Sequence, residues 1–133
     1  MTASRSITRV VAAASLSLAA LAAAPAAKHT HLERSEPGAD STITVAPTAI
    51  KLWFSEPVQI RVTTARVTGA NEAALDLAAA RLGTGERAPV ILDIRGTVAP
   101  GRYSVAWRTM SRDGHPVRGT FAFTLAAPAP PTR

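Results

Sequence analysis

The sequence predicts an all-β domain, either a β-sandwich or a Greek-key barrel, built from six or seven short strands. Three observations support this fold class. Apolar residues recur at every second position in several short segments, and turn signals rich in glycine, proline and aspartate separate these segments. The chain has 133 residues and no cysteine, so one domain of this length must be stabilised by its own hydrophobic core.

Six segments carry the strand pattern and follow one another between residues 31 and 125. Because successive side chains of a strand point to opposite faces, each alternating segment should bury one face and expose the other. The segments are HLERSEPGADS (31–41), TAIKLWFSEPV (48–58), RVTTARVTG (61–69), APVILDIRG (88–96), PGRYSVAWRTMS (100–111) and VRGTFAFTL (117–125). The expected buried faces of the three most regular segments carry Ile50, Leu52 and Phe54; Tyr103, Val105 and Trp107; and Phe121, Phe123 and Leu125.

One segment departs from this pattern, and two interpretations of it remain open. NEAALDLAAARLG (71–83) is rich in alanine and leucine, which have high helix propensity. Asn71 could cap a short helix that stops at Gly83. In an all-β setting, the same residues could instead form a strand with a loose connection.

Residues 1–27 are predicted to be a secretory signal peptide. Arg5 and Arg9 precede a long apolar run, and small residues follow it. The alternative is a retained membrane anchor, but the run is rich in alanine and serine and lies near the lower length limit for a span. We therefore expect a periplasmic protein with its domain at residues 28–126, followed by a disordered tail, APAPPTR, at residues 127–133.

The composition excludes several functions. The absence of cysteine excludes disulfides, a lipid-anchored cysteine, cysteine-ligated zinc, iron–sulfur clusters and thiol catalysis. The formal net charge is +6, but the basic residues are scattered as single arginines, without a cluster interleaved with aromatic residues. We therefore expect no nucleic-acid partner, and we expect a monomer with a solvated basic surface.

The segment SRDGHPVRGTF (111–121) suggests half of a metal site. Asp113 and His115 are two residues apart, so their side chains would project together from an extended backbone. Gly114 allows a sharp turn, and Pro116 restricts the backbone of His115. A carboxylate and an imidazole that converge from a stiff loop suit a borderline metal such as Cu(II). The alternative is an Asp-Gly hairpin turn that carries a surface histidine.

The other two histidines, His29 and His31, lie in KHTH, close to the expected amino terminus. A terminal histidine offers its amine and its imidazole as a chelating pair. Together with Asp113 and His115, His29 would supply three nitrogens and one oxygen, which is a tetragonal Cu(II) environment. The alternative is that KHTH is simply an exposed, polar start to the first strand.

The sequence resembles the CopC family of periplasmic copper-binding proteins over residues 28–125. HTHLERSEPGADS matches the histidine start of the mature family members, with His29 in the first position, and LWFSEPV, GRYSVAWRTMS and DGHPVRGTFAF match further family motifs in order. The resemblance implies a seven-stranded, immunoglobulin-like Greek-key fold. It also implies one Cu(II) per chain, held by Asp113, His115, and His29 through its amine and imidazole. The implied function is to buffer or deliver copper, with a CopD-type membrane copper transporter as the suggested partner.

The cleavage site departs from the family pattern. Cutting before His29 would leave Lys28 at a position that favours small residues, whereas Ala24-Pro25-Ala26 is a better match and would leave Ala27 at the front. His29 would then be third from a free amine. In that position it could hold Cu(II) or Ni(II) in a square plane without the distant carboxylate and histidine.

The methionine content and the candidate ligands indicate which class of copper protein is expected. Met1 and Met110 are the only methionines, so the methionine-rich loop of some family members is absent and a soft Cu(I) site is not expected. A copper-dependent oxidative enzyme with an amino-terminal histidine is one alternative, but Asp113 would fill a position that such chemistry needs open. A second alternative is a non-metal immunoglobulin-like interaction module, in which the histidines are incidental. We expect a binding protein without enzymatic activity.

Overall fold

The computed structural model describes residues 29–132, which form two β-sheets around one core. The predicted signal peptide, residues 1–27, lies outside the described residues. Between residues 29 and 132, no helix is long and apolar enough to cross a membrane. The strands are β1 (Leu32–Glu36), β2 (Ser41–Ile43), β3 (Ala49–Phe54), β4 (Thr64–Thr68), β5 (Asp76–Leu77), β6 (Arg81–Leu82), β7 (Val90–Arg95), β8 (Gly101–Met110) and β9 (Pro116–Leu125), with a 3₁₀ turn at Ile60–Val62.

The first sheet has the order β1-β3-β7-β5, and β6 also pairs with β7, whereas the second has the order β2-β9-β8-β4. Neighbouring strands are antiparallel, except that β2 and β9 are parallel. Consecutive strands such as β3 and β4 lie in different sheets, so the chain crosses repeatedly between the two layers, as in Greek-key sandwiches. The predicted all-β sandwich is confirmed. Seven strands contain three or more residues, and β5 and β6 contain two each.

The core is formed by the strand faces that the alternation of apolar residues predicts to be buried. Ile50 and Leu52 of β3 are fully buried, as is Phe123 of β9. Trp107 of β8 meets Phe54 of β3 edge to face, with ring centroids 5.2 Å apart, and this contact joins the two sheets. Fully burying an aliphatic or aromatic side chain of this size stabilises a fold by about 1.5–3 kcal/mol. The alternation predicted for β3, β8 and β9 is thus confirmed.

The helical interpretation of residues 71–83 is wrong. These residues contain β5 and β6, which both pair with β7. Leu75 and Leu77, two residues apart, both pack against the core, and Leu77 is paired with Ile94. Two leucines at this spacing would diverge on a helix but lie on one face of an extended chain. Tertiary packing therefore overrides the helix propensity of the alanines.

Candidate metal centre

Asp113 and His115 lie in the loop that joins β8 to β9, at one end of the sandwich. The Ser111 hydroxyl accepts the backbone N–H of His115 at 3.0 Å and donates to the Asp113 carboxylate. The Ser111 N–H donates to the His115 carbonyl at 2.9 Å, and the Gly114 N–H donates to the Ser111 carbonyl at 3.0 Å. Gly114 has φ +90°, which residues with side chains rarely adopt. The backbone here is a closed turn rather than the expected extended segment.

This turn brings the side chains of Asp113 and His115 together. Nδ1 of His115 lies 2.8 Å from Oδ2 of Asp113, and both side chains are mostly exposed. The hydrogen bond from Ser111, and then that from His115, holds the pKa of the Asp113 carboxyl below its ordinary value. When Nδ1 donates to the carboxylate, Nε2 keeps its lone pair available, which is the usual arrangement of a metal-binding histidine.

His29 precedes β1, in a segment that pairs with the chain just after β3. The N–H of His31 donates to the Ser55 hydroxyl at 3.0 Å, and the N–H of Ser55 donates to the His31 carbonyl at 2.9 Å. Thr30 is buried, and its hydroxyl lies 3.5 Å from Oε2 of Glu56. Nδ1 of His31 lies 3.1 Å from the carbonyl oxygen of His29. The backbone of this segment is therefore held in place, while the His29 side chain is exposed.

The connection formed by residues 55–59 contacts both parts of the predicted site. Its first residue pairs with His31, as described. Near its end, Val58 forms a β-bridge with Ser111, and the side-chain amide of Gln59 donates to the Ser111 carbonyl at 2.9 Å. Because one short connection touches both segments, the amino-terminal histidines and the Asp-Gly-His turn lie at the same end of the sandwich.

The structure brings two of the three predicted ligands together and leaves the third apart. Asp113 and His115 are in contact, but His29 does not join them in a cluster. Within residues 29–132, no three His, Cys, Asp or Glu side chains converge closely enough to hold a metal ion. Ser111 and Gln59 position the turn, and neither residue was predicted to do so from the sequence. Serine hydroxyls often bond to nearby backbone N–H groups in turns, so Ser111 was the one residue with a local signal.

Comparisons with known proteins find relatives over the whole domain. The CopC domain model matches residues 32–126. Protein YobA of Escherichia coli (strain K12) is 32% identical over 97 residues, which is 73% of this chain and 78% of YobA. Copper transport protein CutJ of Bacillus subtilis (strain 168) is 25% identical over 97 residues, which is 73% of this chain and 18% of CutJ.

The two-sheet architecture also matches a solved structure. The crystal structure of PcoC, a methionine-rich copper resistance protein from Escherichia coli, superposes with a TM-score of 0.60 at 32% identity. The match covers 73% of this chain and 98% of PcoC. Both the domain match and the fold agree with the motifs found in the sequence. The chain belongs to the CopC family.

Proposed function

We propose that this protein binds Cu(II) in the periplasm and buffers or delivers it in copper homeostasis or resistance. The observation that carries the proposal is the Asp113–His115 pair, held in a closed turn at the end of the sandwich that also bears the amino-terminal histidines. Carboxylate and imidazole groups are suitable ligands for Cu(II). Family membership supports the proposal, because the named relatives include a copper resistance protein and a copper transport protein. The proposed role is binding rather than catalysis.

The proposed site holds one Cu(II) per chain through His29, Asp113 and His115. We call it the spanning site, because its ligands come from both ends of the domain sequence. His29 supplies its imidazole and, once the preceding residues have been removed, its amine. Because His29 is exposed and precedes β1, it can turn towards the other two ligands without disturbing a strand. Metal ligands must be deprotonated, and the lowered pKa of Asp113 favours the form that binds.

A local set of ligands is the alternative for the same metal. If processing leaves Ala27 first, the amine, two backbone amides and the His29 imidazole can complete a square plane. Neither Asp113 nor His115 would then be needed. The two sets differ in their dependence on His115, which makes them separable by mutation.

The remaining parts of the proposal concern processing and partners. Residues 1–27 would act as the signal peptide, residues 28–126 as the copper-binding domain and residues 127–133 as a tail. The protein would be a monomer that exchanges copper with a CopD-type membrane transporter. The alignment with CutJ supports this class of partner, since there the matching segment is 18% of a copper transport protein.

The experiment is a Cu(II) titration of processed protein whose amino terminus has been established by intact mass. His29→Ala and His115→Ala should each weaken binding markedly, whereas His31→Ala, the matched control, removes a neighbouring imidazole and should change little. Unchanged affinity in His115→Ala would rule out the spanning site and leave the local one. A wild-type protein without stoichiometric binding would contradict the proposed function and favour the non-metal interaction module.

A further inference from the structure

The outward surface of the four-stranded sheet carries arginines without acidic partners. Strands β2, β4, β8 and β9 contain no aspartate or glutamate, but they contain Arg66, Arg102, Arg108 and Arg118, which are all exposed. Between residues 29 and 132, none of these four forms a salt bridge. By contrast, each of the four basic residues in the strands of the five-stranded sheet is paired with a carboxylate.

Three of these arginines form a group close to the β8–β9 turn. Arg108 and Arg118 are directly opposite each other in the β8–β9 ladder, and Thr64 of β4 is opposite Arg108 on its other side. Arg66 lies two residues from Thr64, so it emerges on the same surface. Like charges directly opposite each other destabilise a sheet. Among the described residues, the only side-chain hydrogen bond of this group runs from Nε of Arg108 to the Thr64 hydroxyl, at 3.3 Å.

A shallow hollow of ≈ 550 Å³ lies among the three arginines. Ala106, which also lines it, pairs with Arg66 on one side and with Thr120 on the other, and has the smallest side chain of the three. The hollow is therefore lined by guanidinium groups, with room above the alanine for a ligand that accepts hydrogen bonds. We refer to Arg66, Arg108 and Arg118 with this hollow as the arginine face.

Protection of sheet edges does not account for the arginine face. Charged residues on an edge strand discourage pairing with other chains, and Arg66 lies on the edge strand β4. Arg108 lies on β8, which has a neighbour on both sides and needs no such protection. Of the acidic residues next to β8 and β9, Asp113 is engaged within its own turn, and the backbone of Asp40 bonds to Ala122 near the other end of β9.

We propose that the arginine face docks an acidic segment of a partner protein, whose carboxylates pair with Arg66, Arg108 and Arg118. Planar guanidinium groups bind carboxylates through two parallel hydrogen bonds, so the face offers complementary geometry as well as charge. The side chains between the arginines are alanine and threonine. Trp107 also lines the hollow but is only 7% exposed, so no aromatic or long apolar side chain projects far enough to enter a lipid layer, which favours a protein segment over a membrane.

The arginine face adjoins the proposed copper site. Arg108 and Arg118 each lie three residues from an end of the Ser111–His115 turn, which is roughly 10 Å along a strand. A docked acidic segment would therefore lie beside His115. Transfer of copper to that partner rests on the proposed function, whereas the docking itself does not.

The test measures binding of a fluorescent peptide of alternating glutamate and serine by anisotropy at low ionic strength. The test variant is R66Q/R108Q/R118Q. The matched control, K51Q/R87Q/R95Q, removes the same net charge from ion-paired residues on the other side of the sandwich. The control should bind within about twofold of wild type, and the test variant about tenfold more weakly or worse, as expected for three exposed ion pairs.

Equal losses in both variants would show that only net charge matters and would overturn the proposal, as would a wild type that does not bind the peptide. Phosphatidylglycerol vesicles form a second arm, and binding to them without peptide binding would assign the surface to a membrane instead. Arg108→Gln alone should also weaken peptide binding, by less than the triple variant does. This single variant keeps the proposal testable if the triple variant fails to fold. A Cu(II) titration of each protein keeps the tests separate, because the arginine variants should retain wild-type stoichiometry. Loss of copper binding in the wild type would contradict the proposed function without affecting the peptide result.

Discussion

Gly119 on β9 is the point where the Trp107 ring approaches the backbone of the neighbouring strand, and Gly119→Ala probes this contact. The two residues are directly opposite each other in the β8–β9 ladder. A Cβ added to Gly119 would lie 2.6 Å from Cζ2 and 2.9 Å from Cε2 of Trp107, both shorter than the 3.0 Å that real Cβ contacts respect. The ring cannot easily move away, since Trp107 is only 7% exposed and packs on Phe54.

We expect Gly119→Ala to destabilise the fold by about 1–3 kcal/mol, the usual cost of overpacking a well-filled core. For a domain of this size each kcal/mol lowers Tm by roughly 4–8 °C, so the expected decrease is about 5–20 °C. Thermal unfolding followed by circular dichroism measures it. The control is Gly38→Ala, whose new Cβ would have no neighbour closer than 3.7 Å. A Tm for Gly119→Ala within about 2 °C of both wild type and control would refute the reasoning.

Four further predictions follow from a buried hydrogen bond and from the candidate site. Thr63→Val should lower the free energy of unfolding by about 1–3 kcal/mol, because the buried Thr63 hydroxyl lies 2.6 Å from that of Thr109, which would lose its partner. Denaturant unfolding measures this, and an unchanged midpoint would contradict it. Ser111→Ala should raise the pKa of Asp113 towards its ordinary value in an NMR titration, since the Ser111 hydroxyl is the main cause of the depression. In wild type, the ionised carboxylate should contribute stability above its ordinary pKa of about 3.9, and this is lost as pH falls through the lower folded value. Cu(II) affinity should fall as the pH is lowered, because protons compete with the metal for imidazole and amine nitrogens, and a flat profile would exclude such ligands.

The parts of the fold that the sequence predicts well are the strands in which apolar side chains occupy every second position. The alternation in β3, β8 and β9 is long enough for each strand to have one apolar face, and burial follows from that face alone. Residues 71–83 are different, because their composition favours a helix and only pairing with β7 decides otherwise. That pairing depends on residues distant in sequence, which local propensity does not include.

The candidate site also has a part that the local sequence predicts and a part that depends on residues distant in sequence. Asp113 and His115 are predicted to converge because they are only two residues apart, and they do so although the backbone is a closed turn rather than an extended segment. The hydrogen bonds that place the turn beside the amino-terminal segment join residues far apart in sequence: His31 and Ser55 are separated by 24 positions, and Gln59 and Ser111 by 52. No pattern within a single segment indicates such partners. The arginine face shares this property, since its residues come from three strands that only the sheet order brings together.

The effect of Cu(II) on the thermal stability of the wild-type protein separates the spanning site from the local one. A local set of amine, amides and the His29 imidazole requires no fold, so it binds folded and unfolded chains alike and leaves Tm unchanged. A spanning site that includes Asp113 and His115 exists only in the folded protein, and ligands that bind only the folded state stabilise it by mass action. At a free Cu(II) concentration 100 times Kd the gain is about 2.7 kcal/mol, which corresponds to an increase in Tm of roughly 10–20 °C. His115→Ala should abolish that increase while His31→Ala retains it. Stoichiometric Cu(II) binding without any change in the wild-type Tm would exclude the spanning site.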